Sequence, residues 1–126
     1  MAYTVIDDSS ANQNNVIYTG DGSTQAITGV GFQPDWVWIK RRDTTGSNMW
    51  LDAVRTATKR ITSNGTDTEE TQATGLTAFD ADGFTLGGQV SYNGSGGTFV
   101  GWNWKGGTTS GIDTTGSTIT PTGYSF

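Results

Sequence analysis

Residues 36–42 read Trp-Val-Trp-Ile-Lys-Arg-Arg (WVWIKRR), and residues 98–105 read Thr-Phe-Val-Gly-Trp-Asn-Trp-Lys (TFVGWNWK). Successive side chains of a strand point to opposite faces. In the first stretch Trp36 and Trp38 therefore share one face, and Val37 and Ile39 share the other. In the second, Val100, Trp102 and Trp104 oppose Phe99, Gly101, Asn103 and Lys105. The first stretch opens apolar on both faces, which requires burial of both, or a loop or partner over one. Both are rich in aromatic and β-branched residues and predict strands of a β protein.

Shorter segments of the same kind surround them. Met1–Ile6, Asn14–Thr19, Ser23–Thr28 and Lys59–Ser63 read as strands, and Met49–Val54 is ambiguous between a strand and a helical turn. Phe84, Leu86 and Val90 follow a period of two, and Thr118–Phe126 reads as an edge strand marked by Pro121. Gly20-Asp21-Gly22, Asn64-Gly65, Asp80–Gly83 and Asn93–Gly97 are turn signals, with Asn64-Gly65 the preferred pair of a two-residue hairpin. Asp7–Asn15 and Gly106–Ser117 read as polar linkers. Short strands spaced roughly 8–12 residues apart predict an all-β fold, an antiparallel jelly-roll-like β-sandwich with short terminal arms. The expected divisions are an arm and linker over 1–13, the sandwich over 14–106, and a Gly/Thr/Ser linker with a C-terminal strand over 107–126.

Composition narrows the chemistry. The 126 residues include no His and no Cys, which removes a histidine base, a catalytic triad, a thiolate nucleophile and zinc–cysteine sites. Val, Ile, Leu and Phe supply only 22 positions, but with 14 aromatics, five of them Trp, the chain can still build a small core. A net charge of −5 argues against nucleic-acid binding. No apolar run approaches the ~20 residues of a membrane span. The first eight residues show no basic region followed by an apolar stretch, so no secretory signal is expected.

Four constellations invite a functional reading. Asp80-Ala81-Asp82-Gly83 is similar to the start of a calcium loop, but Phe84 and Ser91 stand where further ligands belong, so it reads as a tight Asx-type turn. Glu69 and Glu70 are adjacent and point to opposite faces of any strand, so they read as solvated loop residues rather than a catalytic pair. No cofactor or metal is expected. Six of the seven basic residues, Lys40, Arg41, Arg42, Arg55, Lys59 and Arg60, fall within 21 positions. They form either a docking patch for an acidic protein or anionic glycan, or a solvated face paired locally with Asp43 and Asp52. Trp36, Trp38, Trp50, Trp102 and Trp104 read as core or interface aromatics ahead of a sugar-stacking platform. Asn64-Gly65-Thr66 and Asn93-Gly94-Ser95 match glycosylation sequons.

Four blocks together carry a resemblance: Phe32–Asp43 (FQPDWVWIKRRD), Asp52–Lys59 (DAVRTATK), Leu76–Leu86 (LTAFDADGFTL) and Thr98–Lys105 (TFVGWNWK). In order and spacing, residues 14–106 resemble β-sandwich modules of tailed-bacteriophage tail-fibre and capsid-associated proteins, domains likened to concanavalin-type or laminin-G jelly rolls. The resemblance implies a structural protein of the virion surface, as capsid decoration or as a tail or fibre component. It implies protein–protein docking and no enzymatic activity, with location on the virion. The expected partners are other virion proteins and further copies of the chain, with no nucleic acid and no membrane insertion. The alternative is an adhesion module that recognises host-surface glycans.

Overall fold

The computed structural model describes residues 8–106. The expected strands Met1–Ile6 and Thr118–Phe126, and the linker beyond Gly106, lie outside the described residues. Among those described, a short 3-10 turn at Ser9–Ala11 precedes nine strands and one helical turn. The strands are β1 (Gln13–Thr19), β2 (Gln25–Ile27), β3 (Trp36–Arg41), β4 (Met49–Asp52), β5 (Lys59–Thr62), β6 (Glu70–Thr71), β7 (Leu76–Asp80), β8 (Gly83–Leu86) and β9 (Thr98–Trp104), with α1 at Val90–Asn93 before β9. They form two antiparallel sheets, one in the order β1-β9-β3-β4-β5-β6 and one in the order β2-β8-β7. The fold is the expected antiparallel sandwich, with unequal sheets.

Alternation decides what lies between the sheets. Val16 and Tyr18 of β1, Val37 and Ile39 of β3, Met49 and Leu51 of β4, and Phe99 of β9 turn inward from the larger sheet. Ile27, Leu76, Phe84 and Leu86 meet them from the smaller one, and Val30, Phe32 and Tyr92 join the same buried cluster from outside the strands. Tyr18 stacks on Phe99 at 5.2 Å and meets Phe84 edge-on at 6.4 Å. Its hydroxyl donates to the Tyr92 carbonyl at 2.8 Å, so this buried polar tip is satisfied. Phe84 fits because Gly101 faces it; a Cβ at Gly101 would lie 3.3 Å from the Phe84 ring.

Several local expectations are corrected. β1 starts at Gln13, inside the stretch read as linker, because its backbone pairs with β9 out to Gln13 opposite Trp104 and the Asn14 amide donates to the Val30 carbonyl. The Met49–Val54 ambiguity resolves as strand β4, ended by Asp52, whose carboxylate accepts from the Arg55 amide at 2.8 Å. Asn64-Gly65 does not form a two-residue hairpin; residues 63–69 bridge β5 and β6, and the Asn64 side chain accepts from the Asn48 amide instead. Val90 does not continue β8. It opens α1, where the Gln89 side chain accepts from the Val90 amide, and it is 60% exposed.

The Asp80–Gly83 turn joins β7 to β8 as expected. The Asp82 carboxylate accepts from the Gly29 amide at 3.0 Å and the Gly31 amide at 2.6 Å, which holds its carboxyl below the usual value of 3.8. A carboxyl lowered on folding stabilises fully above about pH 4 and loses that contribution as pH falls through the folded value. Asp82→Asn should therefore flatten the acid limb of stability against pH, as read by urea midpoints between neutral and acid pH. Gly83 has φ 149°, and a Cβ there would sit 2.0 Å from the Ile27 carbonyl oxygen. Gly83→Ala should cost roughly 2–4 kcal/mol in the same measurement.

Candidate functional site

The face of the larger sheet that turns away from the core carries all five tryptophans. None belongs to the buried cluster, so the core half of the sequence expectation does not hold and the interface half stays open. The reason is spatial. The inward positions of β9 are Phe99, Gly101 and Asn103, with Gly101 leaving room for Phe84, and the indoles fall on the opposite parity. Across the strands, Trp36 lies opposite Trp104 and Asp52. Trp38 lies opposite Trp102 and Trp50, Trp50 opposite Ile61, and Val100 opposite Ile17 and Lys40.

The rings pack on one another. Trp36 stacks on Trp104 at 4.0 Å from one side and on Trp50 at 5.0 Å from the other, with interplanar angles of 19° and 27°. Trp38 and Trp102 form a tilted pair at 5.0 Å. Most of the indole area is thus half-buried by its neighbours, while Trp50 is 39% exposed and Ile17 is 70% exposed. Trp50 leans towards Trp36 although Trp38 is its register partner. Beside it lies a depression of about 410 Å³ lined by Trp36, Trp38, Asn48, Trp50, Ser63 and Trp104. The Trp38 indole N–H donates to the Ser63 hydroxyl there at 3.1 Å. A second hollow of about 320 Å³, at the Asp35–Asp52 end, is lined by Trp36, Trp104, Val54 and Lys105 among others.

The six cations do not form one patch. Lys40, Arg41 and Arg42 lie at the C-terminal end of β3, whereas Arg55, Lys59 and Arg60 lie at the opposite end of the sheet, beyond Asp52 and along β5. The second group is matched by acids. Arg55 pairs with Asp52 at 2.6 Å and reaches Glu69 at 3.5 Å, Lys59 lies 3.9 Å from Glu69, and Arg60 pairs with Glu70 at 2.5 Å. Glu69 and Glu70 are therefore ion-pair partners rather than free loop carboxylates. Arg60 also lies near the Tyr92 hydroxyl, which burial pushes up to about 12 against the opposing pull of that cation. Arg41 pairs with Asp43 at 2.8 Å and lies over the Phe99 ring at 5.6 Å. Among the described residues, Lys40 and Arg42 make no ion pair; Lys40 donates to the Gly46 carbonyl at 2.6 Å.

The other candidates are structural. The Asp80 carboxylate accepts from the Thr85 hydroxyl at 2.7 Å, and Asp82 is engaged by two backbone amides. Among the described residues, no three or more His, Cys, Asp or Glu side chains converge as metal ligands would. Asn93 of the second sequon is fully buried. Its amide donates to the Asp21 side chain and to the Ser23 and Gly87 carbonyls, so it ties the β1–β2 turn to α1. Sequence reasoning missed Asn93 and Asn103 as interior groups, since nothing in a local pattern marks an amide that satisfies distant carbonyls.

Residues 8–124 match the family described as a domain of unknown function, DUF7483, and the chain belongs to that family. No curated protein and no solved structure matches it.

The Arg41 guanidinium beside Asp43 holds that carboxyl down to about 2. Arg41→Ala should return it towards 3.8, followed by a carboxyl-carbon NMR titration; an unmoved Asp43 would show that the pair does not persist in solution.

Proposed function

We propose that the protein is a non-enzymatic structural component of a tailed-phage particle surface, a capsid decoration or a tail or fibre part, acting by protein–protein docking through the tryptophan face. The phage assignment rests on the resemblance of the four sequence blocks. The docking assignment rests on one observation: five indoles lie together outside the core of a small sandwich. Contiguous apolar surface rimmed by polar residues marks an interaction site, and Trp is enriched at the centres of protein interfaces. The ion pairing of Asp52, Glu69 and Glu70 supports the non-enzymatic reading, because these acids already face cations at contact distance.

The depression beside Trp38 favours a second reading, an adhesion module for neutral glycans, since Asn48 and Ser63 offer uncharged hydrogen-bonding groups against an indole. The ring stacking weighs against it. A sugar needs an open indole face, and both faces of Trp36 are taken by other tryptophans.

Incorporation into particles tests the docking reading. Trp38→Ser combined with Trp102→Ser should leave the sandwich folded and reduce the chain in purified particles at least tenfold, by quantitative mass spectrometry. Undiminished incorporation, or absence of the wild-type chain from particles, would sink the proposal.

A further inference from the structure

We infer that the occupant of the tryptophan face is a second copy of this chain, packed face to face about a two-fold axis that passes beside Trp50. The inference rests on the docking reading above and names its partner. A closed two-fold interface needs a surface that is its own complement. This face has that property within the span of a few side chains. Trp50, the most exposed of the tryptophans, is a projection, and it stands on the rim of the depression of about 410 Å³. A two-fold axis beside Trp50 carries the projection of each copy into the depression of the other. There its indole meets Trp38, and the amide of Asn48 and the hydroxyl of Ser63 are within the same hollow.

Area and charge are consistent with this occupant. Five strands at ~4.8 Å spacing and three outward rows at ~6.8 Å give a face of roughly 500 Å² per copy, or about 1,000 Å² for the pair, the size at which an interface becomes specific. The middle of the face is uncharged. Lys40 stands at one end of it; at the other, Asp35 and Asp52 stand with Lys105 and with Arg55, which pairs with Asp52. An axis lying across the strands sets the Lys40 end of one copy over the Asp35–Asp52 end of its partner, whereas an axis along the strands sets Lys40 against Lys40. Avoidance of the Lys40–Lys40 juxtaposition selects the first arrangement.

Sedimentation velocity of the full chain over a range of concentrations tests this. The expected species has twice the 13.3 kDa chain mass. Trp50→Ser and, independently, Ile61→Lys should each weaken the dimer at least about thirtyfold, as loss of a central interface residue does. Neither residue enters the core, and urea unfolding should remain a single cooperative transition for both variants. A dimer indifferent to both substitutions uses another surface and overturns the inference. A monomer overturns it too, and three readouts then identify the occupant. If the Trp38→Ser, Trp102→Ser chain still fails to enter particles, another virion protein fills the face and the docking reading survives. If maltohexaose or cellohexaose shifts the tryptophan fluorescence, the face takes neutral sugar and the docking reading falls as well. If acrylamide quenches the wild-type and Trp50→Ser chains alike, the chain's own residues cover Trp50.

Discussion

The contact between Phe84 and Gly101 sets the arrangement of everything outside it. Phe84 rises from the smaller sheet and needs a position on the larger sheet with no side chain. Gly101, at the centre of β9, supplies that position. Once Gly101 faces inward, the period of two fixes the rest of the strand: Phe99 and Asn103 go in, and Val100, Trp102 and Trp104 go out. The neighbouring strand follows through its register, so Val37 and Ile39 enter the core and Trp36 and Trp38 remain outside. A slip of one residue would send the indoles into a gap shaped for one phenyl ring. The tryptophan face is thus the other side of a packing decision made in the core.

That face is stabilised without being covered. An indole on an open sheet leaves much apolar area in water; three stacked in a row hide most of their ring faces from it, which stacking geometry favours beyond area alone. The charged residues frame this surface rather than entering its middle. One group, Arg55, Lys59 and Arg60, is held by Asp52, Glu69 and Glu70 along the β4–β6 edge, and Arg41 is held by Asp43 at the far end. Exposed pairs of this kind contribute little stability each. They do keep cations close to their partners and away from the indoles, which preserves an uncharged centre for a protein partner.

The sequence legibly encoded the fold class, both central strands, and the division of their side chains into two faces. It did not encode which face was inner. A strand reading Phe-x-Gly-x-Asn on one side and Val-x-Trp-x-Trp on the other invites the choice of the tryptophan side as core, because hydrophobicity alone ranks it higher. Volume reverses the choice, and volume is a property of the opposing sheet, where Phe84 sits 17 positions earlier in the chain. The cationic cluster failed for a related reason. Proximity along the chain placed Lys40 and Lys59 together, but two reversals between β3 and β5 carry them to opposite ends of the sheet. Asn93 and Asn103 were invisible because the carbonyls they satisfy come from elsewhere in the chain, Ser23 in one case and Asn14 in the other.

The stack of Trp104, Trp36 and Trp50 has an optical consequence. Rings whose centres are 4.0 and 5.0 Å apart and nearly parallel share their excited states, so their ultraviolet transitions couple instead of adding. The protein therefore carries a built-in chromophore array whose dichroic signal overlaps that of the peptide backbone. A spectrum interpreted from amide bands alone would misjudge the strand content. The same coupling changes whenever a bound molecule tilts one ring against the next, so the surface reports its own occupancy without an added label.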